Sequence, residues 1–483
     1  MIARGLTGSF LVLLGGLLVS PLPDTARLLY LDVVVELREH MLGRMAGLTL
    51  VMTGLGLLAA AWLSLCRYVA HAEGVEREGA LGLVRYAGLM WATPLMIAPP
   101  LFSRDGWSYA AQGMLTALDV SPYDHGPSLL RGPIVNAVDP RWMDTPTPYG
   151  PLPLILGDLA ARFTGNPWLL VVAHRGIAVI GLVLLAWAVP RLASWCGANP
   201  ALASVVVLAS PLMVANGVGG LHNDLLMVGL MAAALVVTVE RGWQWGALLG
   251  GLAAAVKLPG GLVCIAVVLV SLPVAASMVA RLRRFAGVGA ISLGVLFGLG
   301  AVWGLGAGWV DSLSVPGTVN TPLSAPTVLG GFLDWSAQQL GLGLEPAWFL
   351  DRVRHLATLL SLVAFAWVAL RAPTGGRKGA VQAVVVLVSA TILLSPVVHL
   401  WYFLWLVPFL ACLKLSRLAT TALLAVSVIL GLVAPLDSSL HGAYLAIVMG
   451  CSYVALLVPL LLLTRRARER LEKIADAEWL PVP

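Results

Sequence analysis

The feature that most constrains this chain is the recurrence of apolar runs bounded by charged residues or by Pro and Gly. They fall at 6–23, 42–66, 86–101, 169–190, 199–215, 223–239, 242–256, 259–280, 286–305, 354–371, 379–395, 398–412, 418–434 and 442–464. A bilayer-spanning helix needs roughly 20 apolar residues, and in lipid the backbone must pair its own polar groups. With 59% hydrophobic and 11% charged residues, the chain cannot be a soluble enzyme, a disordered chain or a nucleic-acid binder. It reads as an all-α polytopic membrane protein of about 14 transmembrane helices, the two short runs beside Lys257 being the weakest.

The first run follows Arg4 and leads into Pro21 and Pro23 with no small-residue cleavage site, which favours a signal-anchor helix over a cleaved signal. Cys66, Cys196, Cys264, Cys412 and Cys451 lie singly, so neither a disulfide framework nor a metal cage is implied. With the N-terminus cytoplasmic, inside loops collect Arg67, Arg77, Arg85, Arg191, Arg241, Arg281, Arg283, Arg284, Arg371, Arg377, Lys378, Lys414 and Arg417, together with the basic tail after Thr464. The positive-inside rule supports that orientation: a multi-pass plasma-membrane protein with both termini cytoplasmic.

The chain then divides into N-terminal transmembrane helices (1–101), a first long outer loop (102–168), central helices (169–305), a second long outer loop (306–353), and C-terminal helices with a basic cytoplasmic tail (354–483). Both loops are rich in Pro, Gly, Trp and Asp, and loops of that length are usually functional or disordered. Their tryptophans argue against disorder. Gly106–Leu118 places Trp107, Ala111, Met114, Leu115 and Leu118 on one face, as in an interfacial amphipathic helix capped by Ser103 or Asp105. Residues 151–164 read as a helix lying against the outer surface, because counting them as a span would put every later loop on the wrong side.

Polar clusters recur at the outer ends of the runs: S-R-D at 103–105, S-P-Y-D-H-G-P at 121–127, D-T-P-T-P-Y-G-P at 144–151, H-N-D at 222–224, Lys257 before Leu-Pro-Gly, N-T-P-L-S at 320–324 and S-P-V-V-H-L-W-Y at 395–402. Each has a plain structural reading beside the functional one. Asp105 caps a helix or is a catalytic carboxylate. Tyr123 and Tyr149 lie in turn-forming strings that shape a loop or touch substrate. His222, Asn223 and Asp224 open a helix as caps or face a ligand. His399, Trp401 and Tyr402 form an interfacial belt or a binding wall. Lys257, between two half-helices broken by Pro259, Gly260 and Gly261, is costly there unless it faces a cavity or an anion. Carboxylates, cations and tryptophan at one mouth suit a lipid-linked sugar: apolar grooves for the chain, cations for phosphate, and a carboxylate to take a hydroxyl proton. No GxGxxG or Walker loop is present for a nucleotide.

The strings F-S-R-D-G-W-S-Y-A-A-Q-G, S-P-Y-D-H-G-P, T-P-T-P-Y-G-P, H-N-D-L-L-M-V-G-L-M, V-P-G-T-V-N-T-P-L-S and S-P-V-V-H-L-W-Y-F-L-W, spread over about residues 100–405, together resemble the polyprenol-phosphate-mannose-dependent α-1,6-mannosyltransferases of actinobacterial lipomannan assembly. The resemblance implies a GT-C bundle, a polyprenyl phosphomannose donor, a lipid-linked mannan acceptor, and inverting transfer at the outer face. It places the catalytic acid residue on Asp105. Gly106-Trp107 departs from the expected pattern of an apolar residue followed by Tyr, a change that bears on acceptor fit.

On that basis Asp105 is expected to deprotonate the acceptor 6-hydroxyl. Lys257, His222, Arg104 and Arg131 are the candidate phosphate-binding cations. Asp224, Asn223, Tyr123, Tyr149, Asn320, Ser324, His399, Trp401 and Tyr402 are the candidate substrate contacts, with Asp224 holding His222 or orienting the acceptor. No metal site and no cofactor is expected. Two alternatives stand beside this reading: a sister transferase using another prenyl-linked sugar such as arabinofuranose, and a lipid-linked glycan transporter or flippase. A carrier usually shows broken helices in two pseudo-symmetric halves, whereas the sequence has one broken pair, around Lys257.

Overall fold

The computed structural model describes residues 1–433 together with 465, 466 and 469. Among these residues the regular structure is entirely helical. In chain order the α-helices are α1 (Ile2–Val19), α2 (Asp32–Glu39), α3 (Met41–His71), α4 (Gly74–Ala92), α5 (Asp105–Ala117), α6 (Ile134–Ala137), α7 (Pro151–Phe163), α8 (Pro167–Trp195) and α9 (Pro200–Leu208). They continue as α10 (Asp224–Arg241), α11 (Trp243–Val256), α12 (Val263–Ser271), α13 (Met278–Val302), α14 (Ala325–Gln339), α15 (Trp348–Arg371), α16 (Arg377–Leu394), α17 (Phe403–Leu410) and α18 (Arg417–Leu432).

Helix starts follow local chemistry. The Asn166 side chain accepts from the backbone N–H groups of Trp168 and Leu169, with Pro167 in the first turn, and Asn199 with Pro200 repeats the device at α9. Ser277, Ser324 and Ser416 cap α13, α14 and α18 in the same way.

The centre of the bundle is α10, buried without interruption from Asp224 to Val236, with α8, α11, α12 and α17 packed around it. Its crossing with α8 is made at glycine: a Cβ on Gly229 of α10 would lie 2.4 Å from the carbonyl oxygen of Gly181 on α8. At the periphery α15 buries Ala357 and Val368 and exposes Leu359, Leu362, Val363 and Trp367. Such an apolar outer face suits lipid.

Seven described helices are long and apolar enough to cross a membrane, α1, α3, α4 with its 3₁₀ extension to Ile97, α8, α13, α15 and α16, or eight if α9 and the segment after it, bent by 47°, count as one span. The described part of the chain is therefore that of an all-helical polytopic membrane protein, and by this measure fourteen spans are not reached among the described residues. The difference is physical. The runs at 242–256, 259–280, 398–412 and 418–434 form helices shorter than a bilayer, and the helix at 223–239 carries Asp224, Glu240 and Arg241. The expected run at 442–464 lies outside the described residues.

Two loop expectations also change in character. The helix expected at Gly106–Leu118 forms as α5, but its polar face is not left to water or headgroups: Ser108, Gln112 and Thr116 are buried along with Trp107, Ala111 and Leu115. No side chain caps it at Arg104; instead the Ser103 hydroxyl accepts from the Asp105 backbone N–H at 3.0 Å. The 151–164 segment forms α7, which packs face to face on α5, where a Cβ on Gly113 would lie 2.7 Å from the Gly157 carbonyl carbon.

Candidate active site

The first long loop folds back on the central bundle by backbone pairing. Gly150 N–H donates to Val256 O at 3.1 Å, and a Cβ on Gly150 would lie 2.3 Å from Ala255 O, so the Tyr-Gly-Pro string seats against the end of α11 one residue before Lys257. Thr147 Oγ1 donates to Gln112 Oε1 at 3.1 Å, fixing the same string to α5. From the other side, Ser324 Oγ donates to Ser395 O at 2.8 Å, Thr327 Oγ1 to Pro396 O at 2.6 Å, and Val398 N–H to Thr321 Oγ1 at 2.9 Å, tying the second long loop to the segment before α17.

These ties bound a cavity of about 270 Å³, lined by Arg104, Asp105, Tyr109, Asp139, Arg141 and Tyr149 from the first long loop, by Lys257 from the break after α11, and by Ser395, His399, Trp401 and Tyr402 before α17 and Trp405 within it. Leu313, Val315 and Val319 of the second loop complete it with apolar surface.

Asp105 stands at the first residue of α5 with its carboxylate 3.5 Å from His222 Nδ1. His222 stacks on Trp401 with ring centroids 4.0 Å apart, and His399 stacks on the same tryptophan at 4.4 Å. Burial pushes the Asp105 carboxyl up, but the contact with His222, the nearby His399 ring and the Ser103 hydroxyl outweigh it and hold the group below the ordinary carboxylate range. It is a carboxylate, and hence a proton acceptor, at neutral pH.

Lys257 makes a second centre. Its Nζ donates to Asp224 Oδ1 at 3.0 Å and sits over the rings of Tyr402, Trp405 and Tyr149 at 4.5, 5.0 and 5.4 Å. Asp224 Oδ1 also accepts from Trp405 Nε1 at 2.6 Å. Asp224 thus holds Lys257, while Asp105 is the carboxylate beside His222, the reverse of the partnership expected from the H-N-D string. Asp224 Oδ2, Asn223 Nδ2, both His222 ring nitrogens and Trp401 Nε1 are buried without a hydrogen-bond partner among the described residues. Such concentrations are uncommon in a folded interior and mark a place built for something other than packing.

Of the sequence candidates, Arg104, Asp105, Tyr149, Lys257, His399, Trp401 and Tyr402 line the cavity, and His222 and Asp224 touch it through Trp401, Asp105 and Lys257. Asn223 is buried between those two. Four others lie elsewhere. Arg131 is exposed and outside the cavity lining. Tyr123 packs with Trp309, Leu154 and Ile155 in a separate apolar cluster. Asn320 accepts from Arg354 Nη2 at 2.6 Å, and Ser324 caps α14. Arg141, missed in the sequence, lines the cavity in a two-point contact with Asp139 at 3.1 and 2.9 Å. Its signal was the D-P-R-W string, in which Asp139 caps the turn that carries Arg141. The departure at Gly106-Trp107 is a matter of packing: Trp107 is fully buried against Trp168 and does not line the cavity.

Residues 2–273 match the family described as "Alpha-(1->6)-mannopyranosyltransferase, N-terminal domain", and residues 326–465 match "MptB C-terminal domain". The chain belongs to the α-(1→6)-mannopyranosyltransferase family. It is 30% identical to a probable α-(1→6)-mannopyranosyltransferase of Mycolicibacterium smegmatis over 472 residues, covering 90% of this chain and 82% of the relative. It is 29% identical to an α-(1→6)-mannopyranosyltransferase of Mycobacterium tuberculosis, covering 86% and 79%. A 213-residue stretch is 36% identical to α-(1→6)-mannopyranosyltransferase A of Corynebacterium glutamicum, covering 43% and 44%. Family membership supports a membrane mannosyltransferase over a glycan carrier, and the cavity brings a carboxylate, cations and aromatic rings together.

Proposed function

We propose that this α-(1→6)-mannosyltransferase is inverting and prenyl-phosphate-dependent, moving mannose from polyprenyl phosphomannose to a lipid-linked mannan at the outer face of the plasma membrane. The observation that carries the reading is that Asp105, Arg104, Arg141 and Lys257 face one cavity walled by Trp401, Tyr402 and Tyr149. The acceptor O6 attacks C1 of the donor mannose as the C1–O bond to phosphate breaks, and the O6 proton passes to the Asp105 carboxylate. Polyprenyl phosphate departs with one more negative charge than it had as a diester. Cations that meet that charge stabilise the transition state more than the ground state. Arg104 and Arg141 line the cavity from the same loop as Asp105, and Lys257, oriented by Asp224, lines it from the end of α11. The aromatic rings suit the sugar faces, and Leu313, Val315 and Val319 suit the prenyl chain. Proton and charge balance close with protein groups alone, so transfer is expected to survive chelation.

A donor panel tests the reading. Purified protein supplied with a short α-1,6-mannoside should transfer from polyprenyl phosphomannose, give a new α-1,6 linkage, and reject both GDP-mannose and polyprenyl phosphoarabinofuranose. Transfer from either of the latter at a comparable rate would overturn the donor assignment.

A further inference from the structure

Arg175, in the middle of α8, is fully buried yet does not line the cavity. Its hydrogen-bond acceptors are all backbone carbonyls: Val218 at 3.0 Å from Nε, Met96 and Ala98 from Nη1, and Pro99 and Gly219 at 3.2 and 3.3 Å from Nη2. A buried guanidinium is expensive, and here its rigid fork of donors is spent on two stretches of chain, 96–99 and 218–219, far apart in sequence.

Those stretches lead directly into the two halves of the site. Leu101 N–H donates to Gly219 O at 3.0 Å, joining them. Each then passes through a non-glycine residue in the left-handed region, Phe102 at φ 68° and Leu221 at φ 57°. Residues held there are strained and need surroundings that enforce them. Immediately after come Ser103-Arg104-Asp105 on one side and His222-Asn223-Asp224 on the other. The second stretch arrives through a rare π-helical turn, Leu212–Gly219. Gly106 closes the junction: a Cβ there would lie 2.6 Å from Leu221 Cδ2 and 2.7 Å from Pro100 Cγ.

We propose that Arg175 is a positioning residue for mannosyl transfer, clamping the 96–99 and 218–219 carbonyls so that Asp105 and His222 meet at the spacing the base requires. This rests on the reading of Asp105 as that base. Arg175 touches neither cavity nor substrate, so its loss acts on the transition state and leaves substrate binding in place. Misplacement of a reacting group by about 1 Å costs on the order of 10² in rate.

The test compares Arg175→Lys, which keeps the charge but not the fork, with Leu185→Ala, a buried truncation on the same helix away from the site. Per folded molecule, Arg175→Lys should lose about 10- to 100-fold in kcat with KM for donor and acceptor within about twofold. It should also raise hydrogen exchange in 96–106 and 218–224 while α3 and α13 stay protected. Leu185→Ala should lower thermal stability with kcat per folded molecule unchanged. Because Arg175→Lys can fail to fold, Gly106→Ala probes the same junction from the other side and should also lower kcat at constant KM. Wild-type kcat in either junction variant, or unchanged exchange in both segments of Arg175→Lys, would overturn the proposal. Wild-type protein that transfers no mannose would instead defeat the functional reading, and the exchange measurement would still decide whether Arg175 is the clamp.

Discussion

At the scale of single residues, the buried Lys257–Asp224 pair carries the clearest energetic consequence. Asp224 is fully buried and the Lys257 side chain is 12% exposed, so neither charge has much water to return to. Removing one partner of such a pair strands the other and costs about 3–5 kcal/mol, whereas neutralising both is often tolerated. Lys257→Met should therefore lower the thermal stability of the detergent-purified protein strongly. Lys257→Met combined with Asp224→Asn, which keeps an acceptor for Trp405 Nε1, should recover most of that loss without recovering transfer. A double variant no more stable than the single one in a thermal-shift measurement would contradict this account of the pair. Much of the site was legible at this scale because its chemistry is unusual for a membrane interior: S-R-D, H-N-D and Lys257 stand out in an apolar chain. What was not legible was choice among equals. Arg131 and Arg141 lie in the same loop, and the fold of that loop, with the turn capped by Asp139 and the Gly150 contact with α11, brings the second to the cavity. Asn320 and Ser324 look like ligands because polar residues at a loop end do, but Asn320 is held by Arg354 of α15 and Ser324 ties its loop to Ser395.

At the scale of elements, hydrophobic periodicity located the helices but not their relation to the bilayer. From Asp224 to Val236 the helix α10 is buried on all sides by protein, so its Asp224 needs no exemption from the rules for lipid-facing helices. The pairing of α5 with α7 through Gly113 and Gly157 was invisible for a similar reason, since a close approach leaves no pattern of its own in either helix. The two long loops, by contrast, were recognisable from their Pro and Trp content, and they meet at the cavity through Tyr149 and Leu313. Under the proposed topology both face outward. Single cysteines at Leu129 in the first loop and Leu340 in the second, both exposed, should react with a membrane-impermeant maleimide on intact cells. A cysteine at the exposed Val274, between α12 and α13, should react only after permeabilisation. Labelling of the two loops from opposite sides, or of Val274 in intact cells, would contradict the proposed orientation.

At the scale of the whole molecule, the fold is a shell of lipid-facing helices around a buried central layer, and the site sits where breaks in that layer meet the two loops. The breaks before α10 and after α11 each place a polar residue, His222 and Lys257, where an unbroken helix would bury backbone alone. The central claim is that Asp105 takes the acceptor proton within this frame. The measurement that tests it most directly is mannose transfer from polyprenyl phosphomannose to a short α-1,6-mannoside by purified wild-type protein and by Asp105→Asn, each with chelator present. Wild-type transfer should survive chelation, and the variant, folded by thermal shift, should lose on the order of 10² to 10⁴ in rate; near wild-type turnover by folded Asp105→Asn would contradict the account.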